Sequence, residues 1–216
     1  MHCLDIPTLV TERLRLRPLE EGDLDNWAAL CADPEVNRWM PWGALDRGAA
    51  WRNLIYQLGH WLVRGSGIWA VEEKSTGAFV GRAGFADGEG WPGFELGGAL
   101  MPQFWRRGYA TEAGRAALDF AFRALKKDHV IGLIRPGNFR SIRAAERLGE
   151  SFEGSIEHLG KEALVYGIDR ESWAAQVESG VLGLPGGAIS QPAAPPALYA
   201  EPPYGPSRGA AAPRGG

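Results

Sequence analysis

The sequence predicts an α/β (α+β) fold, with a mixed, mostly antiparallel central sheet, about four flanking helices and a disordered C-terminal tail. Three observations predict it. Between Ile68 and Met101, three apolar runs are separated by Ser-Thr-Gly and Asp-Gly turn signals, as in an antiparallel meander. Stretches of helical periodicity lie before and after that meander, which calls for helices packed on a sheet rather than separate blocks. From Gly180 onward the texture changes to Pro, Gly and Ala.

The elements follow in order. Leu14 to Arg17 alternates apolar and basic residues, as a half-buried strand does, and Pro18 ends it. Asp23 can cap a helix through Trp27 and Leu30 to Cys31, after which Asp33-Pro34 breaks the chain. A second helix runs from about Asp46 to Val63, with Trp51, Leu54, Ile55, Leu58 and Leu62 at helical spacing. Ile68–Glu72, Ala78–Phe85 and Phe94–Met101 are the three strands of the meander. After Pro102 a long helix spans about Gly108 to Leu125, with Tyr109, Ala113, Ala116, Ala117, Phe120 and Ala124 on one face. His129–Ile134 is a short strand. Asn138 caps an amphipathic helix to Leu148, and Ser151–His158 and Glu162–Ile168 close the sheet. There is no internal repeat.

Gly and Pro together make 45 of 216 residues, but unevenly. The 37 residues from Gly180 to Gly216 hold 8 Pro, 8 Gly and 8 Ala with only three charges, too little apolar surface to offset chain entropy. The expected organisation is therefore a folded domain over 1–179, which holds all nine Trp, and a tail over 180–216. No run approaches the ~20 apolar residues of a membrane span, and Met1–Leu9 has no apolar signal core. Cys3 and Cys31 make no disulfide framework and no metal cluster with the four His, so a reducing, cytoplasmic setting and no metal are expected. A net charge of −3 offers no footprint for direct nucleic-acid binding. The local basic clusters Arg106-Arg107 and Arg140-Arg143-Arg147 must then serve something smaller.

The segment Pro102-Gln-Phe-Trp-Arg-Arg-Gly-Tyr-Ala-Thr-Glu-Ala113 runs from a strand end through a basic loop into a helix start. N–H groups in a first helical turn lack intrahelical partners, and with the helix dipole they suit a phosphate or pyrophosphate. Gly108 permits close approach, Ala110 is small, and Arg106 and Arg107 add charge. The plainer alternative is a basic loop before a surface helix. A P-loop and a GxGxxG are both missing, so nucleotide hydrolysis and dinucleotide binding are not supported.

At these residues the chain resembles the GNAT N-acetyltransferases, in particular the branch related to the ribosomal-protein N-terminal acetyltransferases RimJ and RimL. The resemblance covers most of residues 8–170. It rests on Thr11-Glu-Arg-Leu-Arg-Leu-Arg-Pro18, Asp33-Pro-Glu-Val36, Phe94-Glu-Leu-Gly97, Trp105-Arg-Arg-Gly-Tyr-Ala-Thr-Glu-Ala113, and Asn138-Phe-Arg-Ser-Ile-Arg143 followed by Leu148-Gly149. It implies a GNAT-like sheet and acetyl-CoA as co-substrate. The backbone of Arg106, Arg107, Gly108, Tyr109, Ala110 and Thr111 would hold the pyrophosphate. Leu100 and Met101 would pair with the pantetheine arm, and Asn138 would bond the same arm. Arg106 stands where that branch often has Gly.

The chemistry adds requirements of its own. An alkylammonium must lose a proton before it can attack a thioester, and a developing oxyanion wants an N–H donor. Gly97-Gly98 inside a strand suggests a bulge that splays the strand, and Glu95 just before it can order water as base or stand as a solvent-facing or Arg-paired acid. Many family members place a Tyr acid seven residues after the Asn, but Ala145 occupies that position. In the Rim-like branch a Ser three residues after the Asn is the proposed acid. Here that is Ser141, which could equally cap the helix or contact cofactor. Glu150 replaces the Phe that usually follows the family's Gly, and Phe152 can fill that space by a small register shift. Neither Cys has a partner placed for covalent catalysis.

Most of the Trp residues read as core, though Trp39-Met-Pro-Trp42 could line the amine site; His129 and His158 read as structural. Arg143 and Arg147 could form a solvated helix face or reach the cofactor's 3′-phosphate, the solvated face being the preferred reading for Arg147. The expected activity is direct transfer from acetyl-CoA to a primary amine, either a protein N-terminus or a small molecule. The alternative is a catalytically impaired CoA-binding module, motivated by Ala145 and Arg106. Homodimers are frequent among related enzymes, and the sequence leaves that state open.

Overall fold

The computed structural model describes residues 6–40 and 42–180; Cys3 and most of the expected tail lie outside the described residues. The described strands are β1 (Leu9–Val10), β2 (Leu14–Arg17), β3 (Ile68–Glu73), β4 (Phe79–Ala86), β5 (Glu95–Leu100), β6 (His129–Ile134), β7 (Ser151–His158) and β8 (Lys161–Asp169). They form one sheet in the order β1-β2-β3-β4-β5-β6-β8-β7. Every neighbouring pair is antiparallel except β5 and β6, which run parallel.

The helices are α1 (Leu24–Ala32), α2 (Pro34–Asn37), α3 (Arg47–Arg64), α4 (Tyr109–Arg123), α5 (Phe139–Arg147) and α6 (Arg170–Glu178). Two of them exceed the expected four. Asp33 does not merely break the chain: its carboxylate accepts from Glu35 and Val36 N–H and, with Pro34 at the first position, starts the single turn of α2. Asp169 likewise caps α6 through the Ser172 N–H, and Trp173 buries that helix.

Side chains alternate across a strand, so β3 feeds two cores. Trp69 and Val71 join Leu14, Leu16 and Phe85 beneath α4, where Ala113, Ala117 and Phe120 pack. Ile68 and Ala70 face the other way, against Trp27 and Leu30 of α1 and Leu54 of α3. The apolar face expected for α3 is only half right. Its buried side is Ala50, Leu54, Gln57, His60 and Trp61, while Ile55 and Leu62 are exposed. Apolar residues surround this helix, so periodicity alone does not choose a face.

The expected bulge at Gly97-Gly98 is absent. β4 and β5 pair in unbroken register from Gly81↔Leu100 to Ala86↔Glu95, and the sheet's irregularities fall at Val71/Glu72 and Phe152/Gly154. The opening arises on the other edge. β5 meets β6 only at Glu95↔Ile131, and the two strands part beyond that point. Gly98 has a packing reason instead, since a Cβ there would sit 2.8 Å from the Arg82 carbonyl oxygen.

Candidate active site

The loop before α4 is held in place by the start of the chain. Thr11 Oγ1 donates to Glu112 Oε1 at 2.6 Å, the Arg13 N–H reaches the same oxygen at 2.9 Å, and Arg13 Nε donates to Oε2 at 2.7 Å. Burial alone would raise the Glu112 pKa, but these hydrogen bonds and the Arg13 charge bring it below the ordinary value. Two sequence motifs some hundred residues apart are thus halves of one clamp. Arg13 Nη1 also donates to the Arg107 carbonyl at 2.9 Å. In a planar trans peptide the N–H points opposite its carbonyl, so this bond turns the Gly108 N–H away from Arg13. Gly108, Ala110 and Thr111 then border a large cavity at the α4 N-terminus.

Gly108 has φ +81°, and Arg106 carries φ +62° without being glycine, which costs about 1 kcal/mol. Arg106 borders the cavity. The Arg107 guanidinium lies instead over the Phe104 ring, 5.3 Å from its centroid, and 3.7 Å from Glu73. Tyr109 is buried and donates its hydroxyl to Glu73 at 2.5 Å, so only its backbone faces the loop.

The cavity measures about 1370 Å³ and occupies the divergence of β5 and β6. Alternate residues of β5 direct their backbone groups to β4 or to the opening. This alternation corrects one expectation. The Met101 N–H is bonded to Val80 O and so cannot donate to a pantetheine arm, and the Met101 carbonyl already accepts from the Phe104 N–H. Leu100 borders the cavity, but its carbonyl accepts from Trp105 Nε1 at 2.7 Å. Leu96 and Gly98 share the open edge with Leu100. Opposite stands α5. Asn138 Oδ1 caps it through the Ser141 N–H at 3.4 Å, which leaves the Asn138 amide NH2 as a donor, and the Ser141 side chain borders the cavity. Arg140 stacks over Trp105 at 3.9 Å, and Arg143 and Arg147, both exposed, border the cavity.

Glu95 sits at the apex of the divergence. Trp91 Nε1 donates to its Oε2 at 2.7 Å. Burial pushes its pKa up to about 7, against the Trp91 and Leu133 hydrogen bonds and the charges of Arg82 and Arg135. A carboxyl poised near neutrality inside a cavity suits proton transfer. Trp39, Met40, Trp42 and Tyr56 wall the α1–α3 side. His158 also reaches this end, with its ring 4.7 Å from Trp91 and its Nε2 buried without a partner.

Residues 13–151 match the family model described as an acetyltransferase (GNAT) domain. The chain belongs to the GNAT acetyltransferase family. It is 33% identical over 168 residues to the uncharacterized protein YkkB of Bacillus subtilis (strain 168), covering 76% of this chain and 96% of YkkB. The acetyltransferase from Agrobacterium tumefaciens str. C58 superposes with a TM-score of 0.70 at 31% identity, over 78% of this chain and 96% of that one. RimJ of Mycobacterium smegmatis, solved in complex with CoA-disulfide, shares the fold with a TM-score of 0.66 at 19% identity, over 83% and 98% of the two chains.

This GNAT acetyltransferase departs from the family pattern at Glu150, and the structure alters the expected remedy. Phe152 does not fill the space; it is 58% exposed, with its ring 5.7 Å from that of Tyr166. Glu150 itself is buried beside Gly132, where a Cβ would lie 3.0 Å from Oε2. Burial, with Glu153 and Glu95 nearby, raises its pKa to about 8. A raised carboxyl pKa contributes stability below the unfolded value of ~4.3 and loses it as pH rises through about 8. Glu150→Gln should therefore melt like wild type at pH 4 but roughly 10 °C higher at pH 9. Scanning calorimetry at both pH values checks this, and parallel melting curves would refute it.

Sequence reasoning passed over Glu150 as a titrating group, and also Trp91, Arg135 and Arg82. Arg82 was the most detectable, as a lone charge within the apolar run Phe79-Val-Gly-Arg-Ala-Gly-Phe85.

Proposed function

We propose that this GNAT enzyme transfers the acetyl group of acetyl-CoA directly to a primary amine, of a protein N-terminus or a small molecule, and that it stands in the RimJ/RimL-like branch. The observation that carries this reading is the junction at Glu95, where the strand divergence, the α4 N-terminus and a carboxyl titrating near neutrality share one cavity. The donor set suits an extended, pyrophosphate-bearing anion. Gly108, Ala110 and Thr111 offer first-turn N–H groups to the pyrophosphate. Gly98, Leu100 and the Asn138 amide face the pantetheine path, and Arg106, Arg140, Arg143 and Arg147 supply positive charge at the mouth. Bound there, acetyl-CoA supplies an activated thioester carbonyl.

The protein's own part is proton management and exclusion of water. Glu95 as carboxylate takes a proton from the acceptor ammonium, directly or through one water. Trp91 fixes that carboxylate by its indole N–H. Ser141 holds a proton at Oγ on the opposite wall. Thiol pKa values near ~8.5 make that proton an aid rather than a requirement.

Acetyl-CoA at about 100 times its Kd should stabilise the fold by about 2.7 kcal/mol, raising Tm by roughly 5–10 °C. Thiol release should follow when amines and N-terminal peptides are added. No thermal shift sinks the cofactor assignment, and a shift without thiol release across the panel favours the impaired-binder reading.

A further inference from the structure

Arg82 is a cation that the fold buries with no carboxylate in ion-pair contact, the Glu95 carboxyl acting on it only at longer range. It is 9% exposed, at the centre of β4. Among the described residues no acid lies within ion-pair distance of it. Its Nε is buried without a partner, its Nη2 makes only a 3.8 Å contact with Met40 Sδ, and its guanidinium lies 5.5 Å from the Trp27 ring centroid. Burying an ion without a counter-charge is costly, and a folded protein that keeps one holds an unmet demand for an anion.

Register decides which part of the cavity that demand faces. β4 and β5 pair as Arg82↔Ala99, Gly84↔Gly97 and Ala86↔Glu95. Alternation puts Arg82, Gly84 and Ala86 on one face together with Ala99, Gly97 and Glu95. This face meets α1 and α3, and Trp27 of α1 and Met40 from the turn after α2 contact Arg82 there. Between the cation and the Glu95 carboxyl the floor is Gly84 and Gly97, with no side chain to occupy it. Arg82, Gly84, Gly97 and Glu95 all line the same cavity. The cradle at the α4 N-terminus, where phosphates are expected, is formed by separate residues on another element.

We infer that Arg82 binds a carboxylate carried by the acceptor, so that the substrate is an amine that also bears a carboxylate, its nitrogen at Glu95 and its anion at the Arg82 guanidinium. The planar fork of arginine matches a carboxylate through two parallel hydrogen bonds. This inference rests on the acetyltransferase reading above and narrows its acceptor class.

The test is thiol release from acetyl-CoA by the full chain, using α- and ω-amino acids paired with amines of the same skeleton lacking the carboxylate. Wild type should show a KM at least about tenfold lower for the carboxylated member of the best pair. Arg82→Gln should abolish that ratio, and Arg82→Lys, which keeps charge but not the fork, should retain part of it. A wild type indifferent to the carboxylate, or an Arg82→Gln protein that keeps the preference, overturns the inference. If no amine of the panel is acetylated, the small-molecule acceptor of the reading above fails separately. The carboxylate site is then read by binding: an N-acetylated amino acid with CoA should raise the Tm of wild type and not of Arg82→Gln, and equal shifts overturn it. Folding is controlled by Arg82→Met, which removes an unpartnered buried cation and should melt no lower than wild type. A large drop would mark Arg82 as a packing strut and overturn the assignment.

Discussion

Glu95→Gln should lower kcat by about 10²- to 10³-fold and remove the rising limb of the pH–rate profile centred near pH 7. The sign follows from the role. A base works as carboxylate, so wild-type activity rises as pH passes about 7, the value to which burial pushes this carboxyl. Glutamine keeps the shape and can still accept the Trp91 N–H, but it takes no proton. Its expected KM for acetyl-CoA is close to wild type, because the cradle is built on α4 and α5. The variant should also be no less stable above neutrality. A carboxyl with a raised pKa contributes stability that disappears as pH climbs through the folded value, and Gln has nothing to lose. Steady-state thiol release between pH 5.5 and 9 checks the rate, the limb and KM, and melting curves above pH 7 check the stability. A variant that keeps the limb near pH 7 assigns it to another group, and His158 or Glu150 would then be next to replace.

The legible part of this site was local, and the illegible part depended on register. The loop Trp105–Ala113 could be placed from sequence because helix starts, Gly108 and basic residues carry their meaning within a few positions. Glu95 was visible for the same reason, as an acid at the head of a strand with two glycines. Leu100 and Met101 were nominated together, yet adjacent residues on a strand point their backbone groups in opposite directions. Only the observed β4 pairing shows that Met101 is spent on Val80. The opening between β5 and β6 is a relation between strands some 30 residues apart, and it was mistaken for a bulge because two glycines were the only local sign of it. Arg82 was missed because a lone charge in an apolar run reads as an edge or solvent-facing residue, and Glu150 was seen only as a substituted Phe because nothing local shows that it is buried. The α1 side of the sheet buries Arg82, and the β6 strand at Gly132 adjoins the buried Glu150.

Glu112→Ala should act on the cradle without touching the proton chemistry. The carboxylate receives Thr11 Oγ1, the Arg13 N–H and the Arg13 guanidinium, and its side chain is only 13% exposed. Arg13 is 44% exposed, so water recovers part of its solvation when the partner is lost. The expected cost is about 2–3 kcal/mol, or roughly 5–10 °C in Tm. Losing the clamp also frees Arg13 from its grip on the Arg107 carbonyl, and the Gly108 N–H is then no longer oriented. KM for acetyl-CoA should rise about tenfold or more, with kcat at saturation largely kept, the reverse of the Glu95 pattern. The pH dependence is opposite as well. Glu112 has a lowered pKa, so its contribution is present above the unfolded value of ~4.3 and fades as pH falls below it. Wild type and Glu112→Ala should therefore converge in melting temperature toward pH 3 and separate at pH 7. A gap that stays constant with pH would show that the carboxylate's charge is not what ties the chain's first strands to the α4 N-terminus.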